Sequence, residues 1–418
     1  MKHYVLVESN TTGTGRAAVE RLLAAGQRVT FLSRAPGKYP FLALPRRGLS
    51  VIETETNDAP SVTTAVAAIR AEQPVDALLT FSDYYVAIVA FVAQCLGFPY
   101  LDPTAAAICR HKDRTRAALA QAGLPVPAFR VVTSLDEAQA AAREVSYPCV
   151  VKPADESSSK GVLLVRSGDQ LVAQVGEILG WGHNARGQRM TGRVLIESLL
   201  HGPEYSVETF TRALGRTEVL GVTTKHLSPP PLFVEVGHDF PTRSAAAPQL
   251  AQAAVTALAA VGFDFGPAHT EVRLTAAGPV VVEINPRLAG GMIPELVEKA
   301  LGIDLIAALF AQLCGEPVDL APKRRGFSSV RFLLAPRPGR LAAVEGVEAA
   351  RRMPGITEVF VGKRVGEAVQ PAEDATHRLG HVIASGPEAE RVAAQAEAAL
   401  SRLAVQVEPV PAAVVEAA

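Results

Sequence analysis

The sequence has 418 residues, with 41 lysines and arginines against 42 aspartates and glutamates. A chain of this length exceeds one compact core, so we expect two or three domains. The near-neutral charge argues against a dedicated nucleic-acid binder or a polybasic membrane binder, and no apolar run reaches the roughly 20 residues of a membrane span. The four cysteines are too widely spaced for a zinc site, and the N-terminus lacks a signal-peptide pattern, so we expect a cytoplasmic protein.

Residues 1–110 alternate strand-like and helix-like segments, with strands expected at 3–9, 28–33, 49–54 and 76–81. Such alternation predicts a parallel sheet with helices on both faces. A helix at 104–122 leads into the next region.

Residues 111–318 are typical of an α+β domain with mostly antiparallel strands, in which prolines 229–231 indicate a loop and a helix is expected at 294–314. Residues 319–418 predict a small C-terminal α/β domain. The predicted fold class is therefore multidomain, combining α+β and α/β.

The hairpin HTEVRLTAAGPVVVEINPR (269–287) carries the sharpest signal. A turn centred on Ala277 places Glu271 opposite Glu283, and Asn285 lies on the same sheet face. Two facing carboxylates need a cation between them, and oxygen ligands of this kind suit Mg²⁺. The alternative is a surface pair relieved by Arg273. The opposite face is expected to be core, formed by Val272, Leu274, Val280, Val282 and Ile284.

Two lysines and two glutamates add a second pattern. Lys152 ends the apolar strand PCVVKP beside the polar loop ADESSSKG, which fits a phosphate-binding point charge, and Lys112 lies in the helical RHKDRTR. In VLIESLLHGPEYSVE, Glu197 ends one strand and Glu204 begins the next. Taken singly, each could instead be a surface charge or an ordinary β-connection.

In this order and spacing, the motifs resemble the ATP-grasp superfamily, specifically its carboxylate–amine ligases of the L-amino-acid ligase and biotin-carboxylase-like type. The resemblance implies an ATP-grasp fold with a Rossmann-like domain at 1–110, the ATP-grasp domain at 111–318 and the C-terminal α/β domain at 319–418. It implies ATP and Mg²⁺, with Mn²⁺ as an alternative metal. The implied ATP-binding residues are Lys112, Lys152, Ser157, Ser158, Lys160, Gly161, Glu197, Leu199 and Glu204.

By the same resemblance, Glu271, Glu283 and Asn285 hold the metal, and Arg287 steadies the transferred phosphoryl group. The implied reaction joins a carboxylate to an amine through an acyl phosphate, releasing ADP and phosphate, with an amino acid among the substrates. Both partners are small molecules, and a homodimer is expected.

The segment TKHLSPPPLFVEVGHDFPTR (224–243) resembles the substrate-side loop of these ligases. Substrate contacts are therefore expected from Lys225, His226, Glu235 and His238, and the small residues Gly290 and Gly291 beside Arg287 leave room for an acyl group. His269 faces Asn285 in the hairpin register, which brings it near the metal.

The sequence also allows other functions. Gly13, Gly15 and Ala18 fit G-x-G-x-x-G/A, and Arg34 could meet a 2′-phosphate, so an NADP-dependent oxidoreductase is one alternative. A non-enzymatic ATP-binding module is another. Within the ligases, the alternative is a carboxylase or a formate-using enzyme.

Overall fold

A computed structural model describes residues 1–10, 13–230 and 232–409. Its N-terminal region contains a four-stranded parallel sheet in the order β3-β2-β1-β4. Helices cover both faces of this sheet, as the alternating sequence predicts. The elements are β1 (His3–Val7), α1 (Thr14–Ala24), β2 (Arg28–Ser33), β3 (Leu49–Glu53), α2 (Ala59–Glu72), β4 (Ala77–Leu79), α3 (Val86–Leu96) and α4 (Pro103–Arg110).

A small antiparallel sheet follows, with the order β5-β8-β6-β7. Helices α6 and α7 pack together beside it, and Ser134 and Ser167 cap their N-termini by accepting backbone N–H bonds. We call this unit the small lobe. Its elements, with the helix that precedes them, are α5 (Lys112–Gln121), β5 (Phe129–Val132), α6 (Leu135–Ala142), β6 (Cys149–Pro153), β7 (Leu163–Val165), α7 (Gly168–Leu179) and β8 (Val194–Ser198).

An eight-stranded sheet forms the centre of the molecule, in the order β13-β12-β9-β10-β11-β14-β18-β16. The segment that supplies its first five strands, with the helices between and after them, contains β9 (Glu204–Thr211), β10 (Thr217–Leu227), β11 (Glu235–Phe240), α8 (Ala247–Ala260), β12 (Gly266–Thr275), β13 (Gly278–Asn285), α9 (Ile293–Leu301) and α10 (Leu305–Leu313). The C-terminal elements are β14 (Phe327–Leu333), β15 (Gly339–Glu345), α11 (Val347–Arg351), β16 (Ile356–Val361), β17 (Ala368–Val369), β18 (Gly380–Gly386), α12 (Ala389–Leu400) and β19 (Ala404–Glu408).

The central sheet crosses the predicted boundary at 318, because β14 pairs with β11 on one side and β18 on the other. One apolar core likewise joins the regions: Leu6 and Phe31 of the N-terminal sheet share a cluster with Leu296 of α9 and Phe332 of β14. The domain limits therefore stay a prediction about sequence segments, whereas the packed core is continuous across them.

Two long helices expected from sequence are each interrupted. The helix at 104–122 is divided at His111, whose backbone is extended and whose successor Lys112 begins α5. The helix at 294–314 is divided at Gly302, which takes a left-handed conformation with φ 72°. The segment 224–243 also differs from the expected loop, since half of it belongs to β10 and β11, and Pro231 lies outside the described residues.

The β12–β13 hairpin has the predicted pairing but a different turn. Thr275 pairs with Gly278, which leaves a two-residue turn, and a bulge beyond Val272 restores Glu271 opposite Glu283. The extra residue is Val282. As a result Val281 lies in the core, while Val282 lines the cleft described below, which corrects the expected core position of Val282.

The bulge predicts unequal effects for two adjacent valines. Val281→Ala removes side-chain carbons from a 5% exposed core position and should lower the free energy of unfolding by about 2 kcal/mol, whereas Val282→Ala should cost less than about 1 kcal/mol. Urea unfolding followed by circular dichroism measures both variants. Equal losses would contradict the bulged register.

Candidate active site

A cleft of about 240 Å³ lies between the small lobe and the inward face of the central sheet. Its lining includes lysines and the serine loop of the small lobe, the paired glutamates of the hairpin, and Arg378 of the C-terminal region. The cleft therefore collects most of the residues that the sequence motifs singled out.

Lys152 and Glu197 form a buried ion pair with Arg116. The Lys152 ammonium lies 2.5 Å from Glu197 Oε2, and the Arg116 guanidinium donates to Glu197 Oε1 and, at 2.7 Å, to the Val282 carbonyl. Burial opposes the charge on Glu197, but Arg116 and Lys152 outweigh it and lower its pKa to about 2. Burial lowers the pKa of Lys152, which Glu197 partly offsets. Both Glu197 oxygens are thus engaged by the protein, and this carboxylate positions Lys152.

Lys112 joins the small lobe to the β12–β13 hairpin, which carries the paired glutamates. Its ammonium donates to the Glu156 carbonyl at 2.7 Å and to Glu283 Oε1 at 3.1 Å. The helix break at His111 makes this contact possible, because α5 starts at Lys112, whose own N–H donates to the Ala154 carbonyl. The side chain is 8% exposed, so Lys112 is no solvated helix charge.

The loop after β6 folds as consecutive turns over this end of the cleft. Ser158 and Ser159 both have φ 61°, and Ser157, Ser158 and Lys160 line the cavity. Lys160 lies 5.1 Å from the Trp181 ring centroid. Gly161 lies behind the loop instead, where a Cβ would come within 2.4 Å of Trp181. Its role is therefore to let the loop pack.

Glu271 and Glu283 lie directly opposite each other, and Asn285 follows on the same face. In the described residues, no three His, Cys, Asp or Glu side chains group as metal ligands. Two carboxylates and an amide oxygen still fit Mg²⁺, which normally completes its shell with phosphate oxygens and water. His269 lies against Glu271, with Nε2 3.4 Å from Oε1, while its Nδ1 contacts Glu208 at 3.0 Å. Burial opposes its protonation, but the two glutamates raise the His269 pKa to about 10.

Lys225 is the most heavily paired residue of the site. Its ammonium contacts Glu204 at 2.9 Å, Glu235 at 2.9 Å and Glu271 at 2.7 Å, and its side chain is 2% exposed. Burial opposes its charge, but the three carboxylates hold the pKa of Lys225 well above its usual value. Since an ammonium has three N–H donors, Lys225 has none left for a substrate. Lys225 therefore positions the three carboxylates. It has no free N–H group in this structure for the direct substrate contact that the sequence predicts.

Glu204 has both oxygens engaged, because Arg273 donates to Oε2 at 2.7 Å. The alternative that Arg273 relieves the Glu271 pair is therefore wrong. Leu199 also lines the cavity.

The residues of β10 and β11 that the sequence predicts to contact substrate lie on two different faces of the sheet, because successive side chains of a strand alternate. Lys225, Glu235 and His238 line the cleft, but His226 points to the other face and pairs with Asp239 at 2.6 Å. Placing His226 at the site was wrong for this reason. His238 is fully buried, and neither ring nitrogen has a hydrogen bond among the described residues, although Nε2 lies 3.6 Å from Glu235 Oε2. Burial lowers the pKa of His238, which Glu235 partly offsets.

Gly290 and Gly291 line the cleft beside His238, and a Cβ at Gly291 would lie 2.5 Å from His238 Nε2. The absent side chain therefore lets the imidazole reach the cavity wall.

Arg287 reaches the cleft from the end of the hairpin and is held by the N-terminal region. Its Nε and Nη2 each lie 2.5 Å from an oxygen of Asp83, a planar two-point pair. Burial opposes the charge, but Asp83 raises the pKa of Arg287.

The glycine fingerprint of the N-terminal region serves internal packing. Gly15 N donates to Asn10, and a Cβ there would collide with Ser9. Arg186 of the small lobe fills the carboxyl end of β1, donating to the Ser9 carbonyl at 2.9 Å, and Arg34 donates to the Arg186 carbonyl. This geometry argues against an NADP site.

The sequence motifs did not indicate two residues that line the cleft, Asp83 and Arg378, or the buried Arg116 that holds Glu197. Arg116 lies one helical turn after Lys112, so i, i+4 spacing could have indicated it. Asp83 and Arg378 carry no local signal, because each reaches the cleft from a distant part of the chain.

Comparisons with known proteins agree with this architecture. Three family models match: an ATP-grasp N-terminal domain over residues 20–100, an ATP-grasp domain over 145–295 and L-amino acid ligase C-terminal domain 2 over 331–408. The uncharacterized protein y4rH of Sinorhizobium fredii is 30% identical over 388 residues, covering 92% of this chain and 79% of that protein. The formate-dependent phosphoribosylglycinamide formyltransferase of Herminiimonas arsenicoxydans is 28% identical over 319 residues, covering 72% of each.

Among solved structures, an L-amino acid ligase from Bacillus licheniformis matches with a TM-score of 0.82 at 23% identity, covering 98% of this chain and 99% of that chain. The chain belongs to the ATP-grasp superfamily. Within it, the chain is an ATP-dependent carbon–nitrogen ligase of the L-amino acid ligase type, which confirms the predicted class and fold. In the described part of the chain, no helix is long and apolar enough to cross a membrane.

The buried Glu197 pair predicts a pH-dependent stability. A pKa that falls from 4.5 to about 2 on folding contributes on the order of 3 kcal/mol above pH 4.5, and this contribution is lost as the pH falls towards about 2. Glu197→Gln should therefore have a lower free energy of unfolding than wild type at pH 7, and this difference should become smaller below pH 4.5. Urea unfolding measures the difference, followed by the fluorescence of the single tryptophan, Trp181, in the small lobe.

The matched control is Glu144→Gln, at an exposed ion pair with Arg130 on the same lobe. The free energy of unfolding of Glu144→Gln should stay within about 0.5 kcal/mol of the wild-type value over the same pH range. A constant gap between Glu197→Gln and wild type from pH 7 to pH 3 would contradict the assignment.

Proposed function

We propose that this ligase joins the carboxylate of one small molecule, an amino acid, to the amine of another through an acyl phosphate. The donor carboxylate oxygen attacks the γ-phosphorus of ATP and ADP leaves. The amine nitrogen then attacks the acyl carbon, phosphate leaves and the amine loses a proton. The observation that carries the proposal is one cleft in which phosphate-type lysines, paired carboxylates and Arg287 converge.

Residue roles follow the cleft from end to end. Lys112 and Lys152 bind ATP phosphates under the loop Ser157–Gly161, the region of Glu197, Leu199 and Glu204 takes the nucleoside, and Arg287 steadies the transferred phosphoryl group. Glu271, Glu283 and Asn285 hold Mg²⁺, and Mn²⁺ is an alternative with the same oxygen preference. When bound, the metal supplies positive charge to the phosphate oxygens. Glu235 and His238 face the substrates beside Gly290 and Gly291.

The small lobe supports the exclusion of water, which an acyl phosphate requires. Arg186 fastens its connecting loop to the N-terminal region, and the loop at Ser158 covers the lysines. The homodimer and the cytoplasmic location stay predictions.

A second candidate is a formate-using ligase, favoured by the similarity over 72% of a formate-dependent transferase. The two candidates differ in the size of the acyl group, and the open space at Gly290, where a Cβ would meet no atom within 4 Å, favours the larger one.

The product assay separates the candidates. With a matrix of amino-acid pairs, we expect ADP and phosphate release that depends on both substrates, and mass spectrometry should identify the amide. AMP release would contradict the acyl-phosphate mechanism. Turnover with formate but no amino-acid pair would favour the second candidate.

The metal assignment predicts the effect of Glu283→Gln. The fold should persist, because Glu283 is a partly exposed cleft residue, while turnover should fall at least about a hundredfold through loss of a charged metal ligand. Calorimetric titration of Mg²⁺ with ADP should show the matching loss of affinity. Glu218→Gln, at an exposed pair on the same sheet, is the control, and near-normal turnover of Glu283→Gln would refute the role.

The phosphate assignment predicts that Lys152→Arg fails although it keeps the charge. The position is 5% exposed beside Arg116, so a guanidinium has no room, and ADP affinity should fall about tenfold to a hundredfold. Lys323→Arg, at an exposed pair with Asp319, should bind ADP as wild type does. Unchanged ADP affinity in Lys152→Arg would exclude a direct phosphate contact.

A further inference from the structure

Arg378 brings a cation from the C-terminal region to the cleft, where it bonds Glu235, whereas Lys112 bonds Glu283 and Lys152 bonds Glu197. Its neighbour Leu379 is 1% exposed, and the Leu379 N–H donates to the Leu333 carbonyl at 2.8 Å, which fixes the backbone. The guanidinium carbon lies 3.6 Å from the ring centroid of Phe332, a 4% exposed residue of β14. The side chain is therefore mounted rigidly on the cavity wall.

The cations of the cleft differ in how many donors they have already used. All three N–H groups of Lys225 are directed at glutamates. Each guanidinium nitrogen of Arg287 also has an acceptor, either a carboxylate oxygen of Asp83 or the Leu288 carbonyl. Arg378 bonds only through Nη2, at 2.8 Å to Glu235 Oε2 and at 3.0 Å to the Glu235 carbonyl.

Its Nε is buried without a hydrogen-bond partner among the described residues, and Nη1 has none there either. An unpaired buried donor costs free energy, so a ligand that supplies an acceptor would stabilise this wall. The other carboxylate that lines the cleft from the same segment, Asp374, accepts through Oδ1 from the N–H and hydroxyl of Thr376.

The two steps of the proposed reaction require the two substrates to lie at different positions in the cleft. The donor carboxylate must lie where Arg287 and the paired glutamates meet the γ-phosphate, and the amine must attack from beyond it. The remainder of the amine substrate must then lie against lining residues that hold neither the phosphates nor the metal, and Arg378, Ala375 and Ile293 are such residues.

From these observations we propose that Arg378 binds the carboxylate of the amine substrate, so that the acceptor is an amino acid with a free carboxylate. This rests on the proposed ligase function and assigns a substrate-binding residue to the C-terminal region. The chemical consequence is selectivity, because an amino-acid amide has the same nucleophilic amine but no negative charge for the guanidinium.

The experiment compares the standard amino acids with their α-amides as acceptors, with amino acids as donors, since an amide can only accept. Wild type should prefer the acid over its amide by about tenfold to a hundredfold in kcat/KM. Arg378→Gln should lose this preference through a raised KM for the acid acceptor, while the KM for ATP changes less than about twofold. Arg378→Lys should retain an intermediate preference, because it keeps the charge but not the planar fork.

Arg340→Gln, at an exposed arginine of the same region bonded to the Gly366 carbonyl, is the matched control and should keep the wild-type preference. If Arg378→Gln does not fold, the acid-over-amide preference of Arg378→Lys is compared with that of wild type instead. A wild type that ligates acids and amides equally, or a preference that survives in both Arg378 variants, would overturn the role of Arg378 while leaving the ligase function intact. Absence of ligation with every amino-acid pair would overturn the proposed function and this inference together.

Discussion

The active site depends on one buried ammonium that holds three carboxylates. Lys225 lies on β10, and its partners come from three other strands of the central sheet: Glu204 on β9, Glu235 on β11 and Glu271 on β12. Burying carboxylates without a cation would cost several kcal/mol each, so the sheet can present three acids inward only because this ammonium lies between them. In the proposed mechanism those acids face the ribose, the substrate and the metal. A change at one of the three subsites therefore reaches the other two through a single shared contact.

Charge pairs also fasten the regions of the chain around the cleft. Asp83 from the N-terminal region holds Arg287, Lys112 bridges the small lobe to Glu283, and Arg378 from the C-terminal region holds Glu235. Each pair is partly or fully withdrawn from water, where an ion pair is strong but costly to break. The site is therefore assembled by the packing of all three regions, in keeping with the core that crosses the predicted limits at 110 and 318.

The sequence predicts the parts of this arrangement that are local. Strand alternation and hairpin symmetry place Glu271 opposite Glu283, although the real register combines a shorter turn with a bulge, two deviations that cancel. Local patterns also locate Lys112 and Lys152, and motif order predicts the fold. They fail where a bulge changes a face, as at Val282, and where a segment expected as a loop forms a strand, as at His226. They also fail where a partner comes from far along the chain. Asp83 and Arg287 are 204 residues apart, and no periodicity links them.

The division of labour between lysine and arginine follows from the same geometry. An ammonium directs three donors to separate points, which suits Lys225 among three glutamates and suits Lys112 between a carbonyl and a carboxylate. A guanidinium is a planar fork, and Arg287 uses it on both oxygens of one carboxylate. Lysine is therefore required where one cation must serve several ligands. Arginine serves where one group must be held in one orientation, and exchanging the two types inside the cleft would keep its net charge while misdirecting the donors.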